Sequence, residues 1–178
     1  MKKRSKKNRK AKNNRINNCF IFLFILFIYL FYSKSCMPLK PDINEYDSSG
    51  MTIVMKALLN ENNTLNINDI KRLIRDNRKN IDYKIRDKDN RTLLMYAVFN
   101  GDSDIIKEIA KYSGQLNSID NNGRTALHWA VYYNKYNAVI TLIKLGAEYN
   151  IKDNYSLTPI EIAEYEGYED IYKYLSDL

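Results

Sequence analysis

The reactive side chains of this 178-residue chain are few: one histidine, two cysteines, an acidic C-terminal segment and fifteen tyrosines. General acid–base catalysis by His128 would require a nucleophile or an orienting acid held at defined geometry. Cys19 and Cys36 form no C-x-x-C pair and no Cys/His cluster with zinc-ligand spacing, so neither a metal nor a disulfide framework is implied. The carboxylates of Glu161, Glu164, Glu166, Glu169 and Asp170 read as a solvated face rather than an acid/base pair. No phosphate-cradling Gly-rich loop, H-E-x-x-H or G-x-S-x-G motif occurs. These observations argue against an enzyme and imply no cofactor.

The frame that positions these residues is a repeat. Asp87, Asp120 and Asp153 are 33 residues apart. The same step relates Thr92, Thr125 and Thr158, then Leu94, Leu127 and Ile160, then Ala97, Ala130 and Ala163, then Gly101, Asn134 and Gly167. Asn117 and Asn150 keep it too. Fixed self-similarity in this range marks a solenoid. Each unit reads as a turn, a short helix, a second helix and a loop. Asp120-Asn121-Asn122-Gly123 has turn chemistry, and Gly123 would supply a positive φ. Asn90 suits the same place, whereas Ser156 there predicts a looser turn. The three threonines stand where a helix N-cap belongs, and Pro159 follows at the first helical position. The alanines are small where helices cross. The second helices are marked by Ile105, Ile106 and Ile109, by Ala138, Val139 and Leu142, and by Ile171, Tyr172 and Leu175. One such unit cannot bury both faces, but a stack of them can.

Residues 120–150 carry D-x-x-G-x-T-x-L-H-x-A at the start and L-G-A-x-x-N at the end, and so resemble an ankyrin repeat. The resemblance implies an all-α solenoid of stacked helix-turn-helix units with short turn fingers. The clear repeats are 87–119, 120–152 and a C-terminal capping repeat, 153–178. Residues 51–86 resemble a degenerate first repeat that lacks the T-x-L-x-x-x-A line, with an independent helical hairpin as the alternative. There Ile53, Val54, Ala57 and Leu58 have helical spacing, and Asn68-Asp69 could cap a second helix carrying Ile70, Leu73 and Ile74.

Ankyrin-family proteins bind partners with the turn tips and the concave face of the first helices. Carried onto this chain, one concave position falls at Phe99, Tyr132 and Tyr165, and the next at Asn100, Tyr133 and Glu166. The tips contribute Lys88, Asp89 and Arg91, then Asn121, Asn122 and Arg124, then Asn154, Tyr155 and Leu157. Tyrosine and arginine are what binding hot spots favour. The resemblance therefore names Phe99, Tyr132, Tyr133, Tyr165, Lys88, Arg91 and Arg124 as partner-binding residues. It assigns His128 to holding the turn by hydrogen bonding, alongside Thr92, Thr125 and Thr158. Met95 and Glu161 replace His128 in the other repeats, so no repeated chemistry uses that site. Tyr96 and Trp129 are expected in the core.

The net charge of +7 belongs to a tail. Residues 1–15 hold nine basic side chains and no acid; the remainder has 19 basic against 21 acidic, which removes any electrostatic case for nucleic acid. Behind this basic tail (1–18), residues 19–32 are uninterrupted apolar. As a helix they would span about 21 Å, short of a hydrocarbon core of about 30 Å and suited to a signal h-region. Ser33-Lys34-Ser35-Cys36 has small residues at cleavage-like spacing before a cysteine, which makes Cys36 a candidate lipidation site. Three fates stay open: cleavage, lipidation at Cys36, or retention as an anchor. In each, the basic flank places the repeats on the extracytoplasmic side, the periplasm or cell surface if the source is bacterial. Residues 33–50 read as a spacer. The expectation is a monomeric, membrane-tethered or exported module that binds a protein partner. The alternative is a structural envelope lipoprotein without one.

Overall fold

Four threonines set the frame by ending extended backbone and starting helix. Thr52, Thr92, Thr125 and Thr158 each have β-region dihedrals, and each hydroxyl accepts the N–H of the residue three positions on. This satisfies one of the otherwise orphaned donors of a helix start. The computed structural model describes residues 42–60 and 65–178. The apolar stretch 19–32 and Cys36 lie outside the described residues. Among the described residues there are eight helices and no strand, only isolated bridges between Tyr46 and Thr52 and between Arg86 and Thr92.

The helices form four antiparallel pairs: α1 (Ile53–Leu59) with α2 (Ile67–Asn77), α3 (Leu93–Asn100) with α4 (Ser103–Ser113), α5 (Ala126–Tyr132) with α6 (Tyr136–Lys144), and α7 (Pro159–Glu166) with α8 (Glu169–Ser176). The first helices stack in the order α1, α3, α5, α7, and the second helices α4, α6 and α8 stack behind them. Ala97, Ala130 and Ala163 are fully buried, which lets consecutive first helices approach closely. Leu94, Leu127, Ile106, Ile109, Val139 and Leu142 fill the layers between them, each worth about 1.5–3 kcal/mol when removed from water. Tyr172 differs from the pattern: it is exposed, whereas Ile106 and Val139 at its register are fully buried. Glu161 and Glu164 stand in the register of the buried His128 and Val131 and are likewise exposed, which gives this end of the stack a charged face.

The first unit is more regular than its sequence. Thr52 caps α1 at the place Thr92 caps α3, and Ala57 takes the buried small-residue position. The spacing from Thr52 to Thr92 is 40 rather than 33 residues, which hides the register. The cap of α2 is Asn66, whose side chain accepts from Asp69 N–H, not the Asn68-Asp69 pair. The turn of this unit lies within the segment read as spacer: Asp47 Oδ1 accepts the N–H groups of Ser49 at 2.8 Å and Met51 at 3.1 Å. The later fingers repeat this pattern with Asp87, Asp120 and Asp153.

Fingers also bond to one another. Lys88 N–H donates to Ser49 C=O, Asn121 N–H to Asp89 C=O and Asn154 N–H to Asn122 C=O. Gly123 sits at φ +73, and a Cβ there would lie 2.5 Å from Asn154 Oδ1 and 2.9 Å from Asn154 N. Ser156 takes the same left-handed conformation at φ +64 and keeps the usual hydrogen bonds, with Ser156 N–H donating to Asp153 C=O at 2.9 Å. Its turn is therefore no looser than the others.

Candidate functional site

Each finger is tied to the stack by its aspartate. While Oδ1 collects two backbone N–H groups, Oδ2 takes a donor from the residue nine positions on: Lys56 Nζ to Asp47 at 2.8 Å, Tyr96 O–H to Asp87 at 2.6 Å, and Trp129 Nε1–H to Asp120 at 3.0 Å. In the last repeat that position is Ile162, which has nothing to donate. Arg124 of the preceding finger replaces it, its Nε 3.3 Å from Asp153 Oδ2. Burial, then the hydrogen bond to Asp87, pushes the Tyr96 hydroxyl well above its ordinary range. Burial alone would raise Asp47, but the hydrogen bonds from Lys56, Ser49 and Met51 outweigh it and hold this carboxyl well below the usual range. The fingers are thus held rigid, which positions their tips.

His128 belongs to this scaffold. It is fully buried, its Nδ1 lies 3.1 Å from Thr125 N and 2.8 Å from Thr125 Oγ1, and its Nε2 lies 3.2 Å from Leu157 C=O. Because Thr125 N–H donates to Nδ1, the ring proton sits on Nε2 and reaches Leu157 in the next finger. Burial lowers the imidazole's pKa, so the ring is held neutral. Met95 and Glu161 play the local half of this role, accepting from Thr92 N–H and Thr158 N–H. Among the described residues, only His128 of these three also bridges to the next repeat.

Aromatics of the first helices converge on Tyr133. Phe99 meets it edge-on with ring centroids 4.9 Å apart, Tyr132 meets it edge-on at 5.2 Å, and Trp129 lies 5.5 Å away at a tilt. Tyr133 is the residue just past α5, where the chain leaves the helix and turns its ring across the preceding repeat. Two guanidiniums flank the cluster. Arg91 lies 5.3 Å over Trp129, steadied by Asp89 at 3.0 Å and Asp87 at 3.8 Å. Arg124 lies 4.9 Å over Tyr132 and 5.9 Å from Tyr155. Offset or edge-on rings contribute about 0.5–1.5 kcal/mol each beyond burial, and cation–π contacts about 0.5–1 kcal/mol at exposed sites.

Of the residues expected to bind a partner, the structure brings together Phe99, Tyr132, Tyr133, Arg91 and Arg124. Lys88 stands apart at a finger tip, its backbone engaged with Ser49 and Asn121. Tyr165 is also apart, 84% exposed and in no ring contact among the described residues. Phe99 and Tyr132 thus meet through Tyr133, whereas Tyr165, at the same register, makes no ring contact with them among the described residues. Trp129 is buried as expected, yet its ring also supports the site by joining Arg91 to Tyr133. Sequence reasoning missed the aspartate anchors, although an aspartate with a donor nine residues later recurs visibly in three units.

The family model for ankyrin repeats (3 copies) matches over residues 25–115, 63–153 and 115–178. A search of curated proteins finds no match. Ankyrin repeats generally mediate protein–protein interaction, and the family is typically a non-enzymatic binding module. The paired helices, the hydrogen-bonded fingers and the threefold match agree, and the chain belongs to the ankyrin repeat family.

Proposed function

We propose that this protein is a membrane-tethered or exported ankyrin-repeat module that captures a protein partner on the concave surface around Tyr133. One observation carries the reading: Tyr132 and Tyr133 are 44% and 38% exposed although each is fixed by ring or guanidinium neighbours. Half-exposed, pre-positioned aromatics offer large contact area with little rotamer entropy left to lose. Among the described residues no helix is long and apolar enough to cross a membrane. A tether would come from residues 19–32 or from a lipid on Cys36, with the repeats on the extracytoplasmic side.

The binding reading is tested with the double variant Tyr132→Ala, Tyr133→Ala. Partner capture from an envelope extract, quantified by mass spectrometry, should be lost at a temperature well below the variant's melting transition, while helicity there holds and the melting temperature falls only as far as the lost ring contacts account for. An unchanged captured set refutes the site. Background-level capture by the wild type, with altered envelope integrity on deletion, favours a structural role instead. The tether is tested by intact mass and fractionation of wild type against Cys36→Ala. A lipid-sized increment lost in the variant supports lipidation, and a full-length mass in membranes supports an anchor.

A further inference from the structure

The aromatic rings of the first helices are unequally provided for. Arg91 covers Trp129 and Arg124 covers Tyr132, so each of these aromatics has a guanidinium from a finger of its own chain. One repeat later, Arg124 and Tyr132 become Leu157 and Tyr165. The ring persists and the cation does not. Tyr165 is 84% exposed against 44% for Tyr132, and among the described residues neither a ring nor a cation packs on it. Its neighbours are acids: Glu166 falls in the register of Tyr133, and Glu164 precedes the ring. Neither makes an ion pair among the described residues, and residues 153–178 carry seven acidic side chains against the single Lys173.

We propose, building on the concave-surface reading above, that the final repeat receives an arginine-bearing segment of the protein partner. Its guanidinium stacks on Tyr165 in the place Arg124 takes over Tyr132, and the carboxylates of Glu164 and Glu166 pair with it. Arginine suits this better than lysine because a planar guanidinium stacks on a ring and meets carboxylates as a fork, whereas an ammonium is a compact, strongly hydrated charge. The excess of acid over the whole repeat supplies charge complementarity for a basic segment and steers its approach.

The test uses the full-length protein and three synthetic peptides of Gly alternating with Arg, Lys or Glu, titrated by fluorescence anisotropy at physiological salt. The arginine peptide should bind about two- to fivefold more tightly than the lysine peptide, and the glutamate peptide not at all. Tyr165→Ala should abolish the arginine preference, and Glu164→Gln with Glu166→Gln should weaken both basic peptides. Equal binding of the arginine and lysine peptides, no binding of either, or a preference that survives Tyr165→Ala overturns the proposal. Partner capture that still depends on Tyr132 and Tyr133 while the arginine preference is absent refutes this inference alone. Capture indifferent to those two tyrosines refutes the underlying site.

Discussion

The indole of Trp129 donates to Asp120 Oδ2 at 3.0 Å, while Oδ1 of the same carboxylate accepts Asn122 N–H at 2.8 Å and Arg124 N–H at 2.9 Å. A single side chain thereby holds the turn and fastens it to the first helix. Trp129→Phe keeps most of the ring volume but leaves Oδ2 without its donor in a buried place. The expected cost is about 1–3 kcal/mol, that of a buried acceptor left unpaired. Urea unfolding of wild type and variant checks it.

Arg124 pairs with Asp153 and lies over the rings of Tyr132 and, more distantly, Tyr155. The Asp153 carboxylate is fully buried, so Arg124→Gln strands a charge. Removal of one partner from a buried pair costs about 3–5 kcal/mol. Arg124 itself reaches solvent, so the lower end, about 3 kcal/mol, is expected here. Hydrogen exchange should show the loss first at Tyr155 and Leu157, whose N–H groups depend on Asp153.

His128 gives stability a pH dependence. Burial lowers its pKa in the folded state below the ordinary 6.5. Above that pH both folded and unfolded chains hold a neutral ring and no penalty arises. As pH falls below 6.5 the unfolded ring takes a proton that the folded one refuses, so stability declines until the folded pKa is reached. Melting temperature followed downward from neutral pH should fall more steeply in the wild type than in His128→Gln. Equal slopes would show that His128 is not the group responsible.

Two substitutions at one register should act in opposite directions. Gly123→Ala forces a Cβ to within 2.5 Å of Asn154 Oδ1 at a left-handed φ. It should destabilise by at least the roughly 1–2 kcal/mol that this conformation costs a residue with a Cβ. Ser156→Gly removes that strain at φ +64 and should stabilise by up to about 1 kcal/mol after the entropy lost by glycine is offset. Thermal unfolding of both variants decides the point.

Much of the fold is legible in the chain because a repeat states each requirement several times. Thr92, Thr125 and Thr158 announce helix starts, and Ala97, Ala130 and Ala163 announce close crossings, since one local geometry recurs at a fixed step. The first unit escapes the period because seven extra residues separate Thr52 from Thr92. Its turn escapes because Asp47-Ser48-Ser49-Gly50 has the composition of any polar linker until Asp47 is seen accepting from Ser49 and Met51.

Register alone determined which residues share a position, and so placed Phe99, Tyr132 and Tyr165 in one column. Only the tertiary structure decided which of them meet, because ring contacts depend on where the backbone leaves the helix and what the neighbouring repeat presents. Tyr133 became the centre by turning across to Phe99. Arg124 was drawn to Asp153 because Ile162 cannot donate, and Tyr165 was left open because its own finger offers Leu157 where the preceding one offers Arg124. Periodicity is a property of the chain taken one unit at a time, whereas a binding surface arises between units.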